Sequence, residues 1–224
     1  MRRARHPVVK EMNKHPPSSP LPSTDKIGAV IVAAGDSKRM RKVDKIFAPI
    51  VGKPLLAHTV DTFQNCTPID QIVILLNEKN LERGRTLAKE REWSKVTRIC
   101  PGGQHRQDSV AIGLSSLKDC RWVVIHDGAR PCVTTNLIES VIGEALETGA
   151  AIAAVPVKDT IKVVKASHTV QKTPERDNLW VVQTPQVFRF DIIAKAHEQA
   201  WGKATDDATL VEQLGNNFFN KSLY

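Results

Sequence analysis

Ile27–Ala33 (IGAVIVA) is an unbroken apolar run, the pattern of a strand buried on both faces. A polar, basic stretch follows from Gly35 to Lys45, and Pro54 then opens a predicted helix through Phe63. Gln71–Leu76 (QIVILL) reads as a second strand, Leu81–Trp93 as a charged helix and Val96–Cys100 as a third, short strand. Pro101-Gly102-Gly103 makes a loop, and Asp108-Ser109 marks a helix start ahead of Val110–Leu117. Trp122–His126 (WVVIH) is a fourth strand, ended by Asp127-Gly128. Asn136–Thr148 is helical with Gly149 placed to stop it, and Ala151–Val157 is the next strand. The pattern then changes. Between Ile161 and Val181, short β-prone pieces (IKVVK, HTVQK, LWVVQ) alternate with polar breaks, which predicts a protruding β-hairpin arm. Phe190–Trp201 is helical again, and Thr205-Asp206-Asp207 caps a last helix that stops at Gly215.

Apolar strands alternating with helices predict an α/β domain, a mostly parallel sheet with helices on both faces. In such sheets ligands bind beyond the carboxyl ends of the strands. A chain of 224 residues suits one such domain over 27–224, with the arm at about 161–181. Residues 1–26 stand apart. They hold Pro7, Pro16, Pro17, Pro20 and Pro22, no apolar stretch longer than Val8-Val9, and six Lys/Arg against Glu11 and Asp25. This reads as a disordered basic extension and a poor secretory signal. Half of the formal net charge of +8 sits there, so the remainder is mildly positive. That suits a small anionic ligand and offers no basic stripe of the nucleic-acid-binding kind. No apolar run reaches the roughly 18 residues of a membrane span. Cys66, Cys100, Cys120 and Cys132 are widely spaced with no C-x-x-C pair, so inert thiols in a reducing cytoplasm are expected.

Four segments carry candidate chemistry. Ala33-Ala34-Gly35 follow the first strand, where small residues let the backbone approach a ligand and successive N–H groups can cradle phosphate oxygens. The stretch after them, to Lys45, holds five Lys/Arg and two Asp. Such a cluster can offset a triphosphate and stabilise a departing pyrophosphate, although a solvated basic loop reads equally well. It is neither a Walker A motif nor G-x-G-x-x-G. Pro101–Ser109 (PGGQHRQDS) sets two glycines before a helix start, as a polar nest or as a plain turn with a cap. In His126–Pro131 (HDGARP), Asp127 falls at the carboxyl end of a strand, where a hard carboxylate can hold Mg²⁺. Arg130 is placed for an anion, and an Asp-Gly turn is the simpler alternative. Asp159-Thr160, Arg176 and Thr184-Pro185-Gln186 supply hydroxyls and a guanidinium that suit a polyol phosphate.

Taken in order, A-A-G-x-x-x-R-M, G-G-x-x-R-x-x-S-V, H-D-G-A-R-P, V-P-V-x-D-T-I-K and T-P-Q followed by T-D-D-A resemble the 2-C-methyl-D-erythritol 4-phosphate cytidylyltransferases of the non-mevalonate isoprenoid pathway. The resemblance runs from Ile27 to Gly215. It implies a Rossmann-like α/β fold, a homodimer made through the β-arm, and Mg²⁺-dependent transfer of CMP from CTP to methylerythritol phosphate. It also implies roles. The backbone of Ala33, Ala34 and Gly35 lies along the triphosphate. Arg39 and Lys45 match two cations that stabilise the transition state. Gly103, Gln104 and Ser109 match cytosine and nucleotide contacts. Asp127 matches the magnesium-binding carboxylate, with Arg130 beside it. Thr184 and Thr205 match hydroxyls near the sugar phosphate, and Thr160 and Arg176 match arm residues that reach the neighbouring subunit's substrate.

Two departures accompany the resemblance. Ser37 stands where the family often has glycine. After Gly215 the chain reads NNFFNKSLY, where the family continues with a strand, a lysine that binds the substrate phosphate and a closing helix. Lys221 is not in a matching context, and Phe218, Phe219 and Tyr224 are expected to dock on the sheet edge or to fray. A ribitol-5-phosphate cytidylyltransferase is one alternative. A shortened nucleotide-binding protein of weak or no activity is the other.

Overall fold

The apolar runs become strands of one seven-stranded sheet in the computed structural model, which describes residues 25–35 and 44–215 and the backbone of Ser222 and Leu223. The segment expected to be disordered, apart from Asp25 and Lys26, lies outside the described residues, as do Ser37, Arg39, Phe218, Phe219, Lys221 and Tyr224. The strands are β1 (Lys26–Ala33), β2 (Gln71–Leu76), β3 (Val96–Pro101), β4 (Cys120–Asp127), β5 (Ala150–Pro156), β6 (Trp180–Arg189) and β7 (Ser222–Leu223). They lie in the order β7-β5-β6-β4-β1-β2-β3. β1 pairs in parallel with β2 and β4, β2 with β3, and β7 with β5. β6 runs antiparallel between β4 and β5. The expected α/β fold with a mostly parallel sheet is therefore present, with one reversed strand in it.

Successive side chains of a strand point to opposite faces, so each central strand feeds two cores. Ile27, Ala29 and Ile31 of β1 and Ile72 and Ile74 of β2 join Leu56, Val60 and Phe63 of α1 (Leu55–Gln64) and Ile138 and Val141 of α4 (Thr135–Thr148). Leu87 of α2 (Leu81–Glu90) lies on that same side. Val30, Val73, Leu75 and Ile125 face the other way. There they meet Val110 and Leu114 of α3 (Arg106–Ser116), Ile192 and Ile193 of α5 (Phe190–Glu198), and Leu210 and Val211 of α6 (Asp207–Gln213).

Several boundaries differ from the sequence reading, each for a local reason. LWVVQ is not part of the arm; it begins β6, which continues straight through Thr184-Pro185-Gln186. Pairing with β5 holds at Trp180–Val182 and resumes at Gln186. Pro185, which has no N–H to give, sits in that interruption, as proline in a sheet must. The arm proper shrinks to a ribbon of Val163–Val164 with Val170–Lys172, plus one turn at Arg176–Asn178. α2 stops at Glu90 because the chain folds back, and Trp93 Nε1 donates to Asp61 at 2.7 Å. α3 begins at Arg106, earlier than Asp108, whose carboxylate accepts the His105 N–H at 2.9 Å. α5 ends before Trp201, which is exposed. Gly149 (φ 90°) ends α4 as expected. Asp206 caps α6 by accepting the Thr209 N–H at 3.0 Å. The closing pair of β7 residues has no clear sequence signal; its partners on β5 are Ile152 and Ala153.

Candidate active site

The carboxyl ends of β1, β3 and β4 open on one cavity of about 810 Å³. Three of the four segments singled out in the sequence meet there. Ala33, Ala34 and Gly35 form one wall, Gly103, Gln104 and Ser109 another, and Asp127 and Arg130 a third, with Lys45 at the side. The first two walls touch closely. A Cβ on Gly102 would stand 2.2 Å from the Ala34 side chain and 2.7 Å from Ser109 Oγ, so only glycine lets the two loops meet at this distance. Ser109, itself buried, knits the second loop: its Oγ accepts the Gly103 N–H at 3.1 Å and donates to the His105 carbonyl at 3.2 Å. Lys45 is set by a single helical turn. Asp44 Oδ1 accepts the Ile46 N–H at 3.2 Å, Asn80 donates to the other Asp44 oxygen, and Ile46 and Phe47 are buried.

Asp127 is the electrostatic centre. Arg106 Nε donates to its Oδ1 at 3.0 Å and Arg130 Nε to its Oδ2 at 3.2 Å. Burial alone would raise its pKa, but Arg106 and then Arg130 outweigh burial and hold the carboxyl below its ordinary value. Its backbone N–H donates to Thr184 Oγ1 at 3.1 Å. The turn after it is pinned from α1, where Thr59 Oγ1 donates to the Gly128 carbonyl at 3.0 Å. His126 Nε2 lies 3.2 Å from the Arg130 carbonyl, and burial pushes this histidine down to about 4, so it is neutral near pH 7.

Residues 27–218 match the family described as IspD: 2-C-methyl-D-erythritol 4-phosphate cytidylyltransferase. The chain belongs to this cytidylyltransferase family. The protein of that name from Dehalococcoides mccartyi (strain CBDB1) is 53% identical over 190 residues, 85% of this chain and 84% of its own. That from Alkaliphilus oremlandii (strain OhILAs) is 42% identical over 202 residues, 88% of this chain and 86% of its own. The crystal structure of 4-diphosphocytidyl-2C-methyl-D-erythritol synthase from Anaerococcus prevotii DSM 20548 superposes with a TM-score of 0.78 at 28% identity, covering 87% of this chain and 85% of that one. The cytidylyltransferase family thus accounts for the Rossmann-like sheet.

The remaining expected site residues lie apart from the cavity wall. Thr184 is buried behind Asp127, and Thr205 is exposed just ahead of α6. Thr160 and Arg176 are exposed at the arm, where Arg176 Nη1 donates to the Lys158 carbonyl at 3.0 Å. Arg39 lies outside the described residues. The donor set around Asp127 fits a hard divalent cation that arrives with phosphates: one ionised carboxylate, with the remaining ligands left to phosphate oxygens and water. Among the described residues no group of three or more His, Cys, Asp or Glu makes a metal cage of its own. Nor, among them, is any helix long and apolar enough to cross a membrane.

Two residues of this site escape sequence reasoning. Arg106 and Asp207 are both inside quoted motifs, yet neither stands out as functional there. Their 2.6 Å contact spans 101 positions of the chain, and no local pattern announces it.

Proposed function

We propose that the protein transfers CMP from CTP to 2-C-methyl-D-erythritol 4-phosphate and releases pyrophosphate. The observation that carries this reading is the convergence of residues 33–35, 103–109 and 127–130 on one cavity, in a chain of this family. The acceptor phosphate is largely a dianion at neutral pH, so no general base is required. One of its oxygens attacks the α-phosphorus of CTP in line. The new P–O bond forms as the bond to the β-phosphate oxygen breaks, and the electron pair leaves with pyrophosphate. The protein has to hold two mutually repelling anions and offset the charge that develops. In this reading the N–H groups of Ala33, Ala34 and Gly35 face the triphosphate, while Gly103, Gln104 and Ser109 receive the cytosine end. Lys45 and Arg39 meet the growing charge. Asp127 would hold Mg²⁺, whose charge, when bound, offsets part of that on the triphosphate. Arg130, Thr184 and Thr205 lie toward the acceptor.

Thr160 and Arg176 would serve the site of a second copy, in a homodimer built on the arm. Supporting this, Val155, Trp180, Val181 and Val182 are partly exposed apolar residues on the paired strand ends at the arm's base, which a second copy would cover. All four cysteines are free thiols, which suits a reducing cytoplasm. The deciding experiment is a pyrophosphate-release assay that crosses CTP, UTP, ATP and GTP with methylerythritol phosphate and ribitol 5-phosphate in Mg²⁺. Turnover is expected for CTP with methylerythritol phosphate. Faster turnover of ribitol phosphate would change the substrate, and no turnover of any pair would end the reading.

A further inference from the structure

Arg106 is shared between two carboxylates through two different nitrogens. Nε donates to Asp127 Oδ1 at 3.0 Å and Nη1 to Asp207 Oδ2 at 2.6 Å. A planar guanidinium anchored at two nitrogens has its orientation fixed. The Asp207 anchor is itself rigid. It is 1% exposed, its other oxygen lies 3.2 Å from His197 Nε2, and α6, which it opens, packs into the core with α5. The Asp127 end differs. Its Oδ2 is held by Arg130, whose side chain is 42% exposed. One oxygen of the cavity's carboxylate is thus tied to a doubly anchored cation, and the other to a solvent-facing one.

We propose that Asp207 is a positioning residue for the reaction: through Arg106 it fixes Oδ1 of Asp127, so that the carboxylate presents Oδ2 to the nucleotide site. Arg130 can swing away as ligand enters. Arg106 cannot, because its departure would strand a buried carboxylate at Asp207. The inference rests on the cytidylyltransferase reading above.

Asp207→Asn keeps the shape and removes the charge. It is expected to lower kcat by roughly 10- to 100-fold, the scale of a small misplacement in a catalytic group. The Kd for CTP, measured by calorimetry without acceptor, should change by less than about threefold, because Ala33–Gly35, Gly103, Gln104 and Ser109, the residues assigned to the nucleotide, keep their own contacts. The effect should also vanish when Asp127 is already altered: Asp127→Asn/Asp207→Asn should turn over within about twofold of Asp127→Asn alone. A role confined to stapling α6 would leave the two losses multiplying. Arg106→Lys, which retains the charge without the fork, is expected to show the same kcat loss and the same dependence on Asp127, and it serves if Asp207→Asn does not fold. Unchanged kcat in a folded variant, multiplying losses, or CTP affinity lost in step with kcat would each overturn the inference. A parent enzyme without turnover would instead overturn the cytidylyltransferase reading.

Discussion

A single carboxylate with a guanidinium on each oxygen, as at Asp127, is poised for exchange: one cation can be traded for another without leaving the oxygen bare. Asp127→Asn should therefore fold and keep its turn, since Thr59, Thr184 and His126 hold the backbone, yet turn over roughly 100-fold or more slowly. Pyrophosphate release in saturating Mg²⁺ checks this, and the parent rate would remove Asp127 from the site. Lys45→Ala and Arg39→Ala should lower kcat more than they raise the KM for CTP, because charge that grows in the transition state is what they would offset. A loss confined to KM would make them ground-state binders. At this scale the sequence was readable wherever a residue sits at a strand end beside its own motif, as Asp127, Gly103 and Ala34 do. It was silent on Arg106 and Asp207, whose partners come from distant parts of the chain. It also gave no sign that the Ser109 hydroxyl, besides lying at the cavity wall, ties its own loop together.

At the level of elements, β1 and β2 were legible because they are buried on both faces and so read as unbroken apolar runs. β6 was not, because Pro185 imitates a strand break and because its first three residues, Trp180–Val182, are exposed in the single chain. α2 was overextended because the residue that ends it does so through a contact with another helix. That contact centres on Asp61 of α1, which accepts from Lys53 at 2.7 Å, from Trp93 Nε1 at 2.7 Å and from Arg91. Burial raises the pKa of this carboxyl, but Arg91, Lys53 and Trp93 outweigh it and hold the value below the ordinary 3.8. A carboxyl lowered in this way contributes its full stability above about its unfolded pKa, and that contribution is lost as pH falls through the lower folded value. Asp61→Asn should cost about 1–3 kcal/mol near neutrality, and the gap to the parent should close below pH 3.8. Urea midpoints of both proteins along that range test it; a gap that stays constant would mean that the charge is not what holds these elements together.

Across the whole molecule, the arm is the part with least reason to stand alone, since Val164 and Val170 are exposed on it and the partly exposed Val155, Trp180, Val181 and Val182 lie at its base. If Arg176 acts on the site of a second copy, mixing inactive Arg176→Ala with inactive Asp127→Asn subunits should restore activity. Random exchange makes half the dimers mixed, each with one intact site, so roughly a quarter of the parent rate is expected. No recovery after demonstrated exchange would place Arg176 in its own chain's site or outside any. The reversed strand has a consequence for how the molecule comes into being. β4 and β5 follow one another in the chain, yet they never touch; the space between them belongs to β6, which begins at Trp180. As the chain leaves the ribosome, β3-β2-β1-β4 can assemble as a parallel half-sheet, but β5 has no neighbour to join and the outer edge of β4 stays open. That edge is a template for any passing strand, and non-local pairings are the slow ones to form. The interval between synthesis of Asp127 and of Arg189 is thus the period in which a nascent chain is most exposed to mispairing with its neighbours.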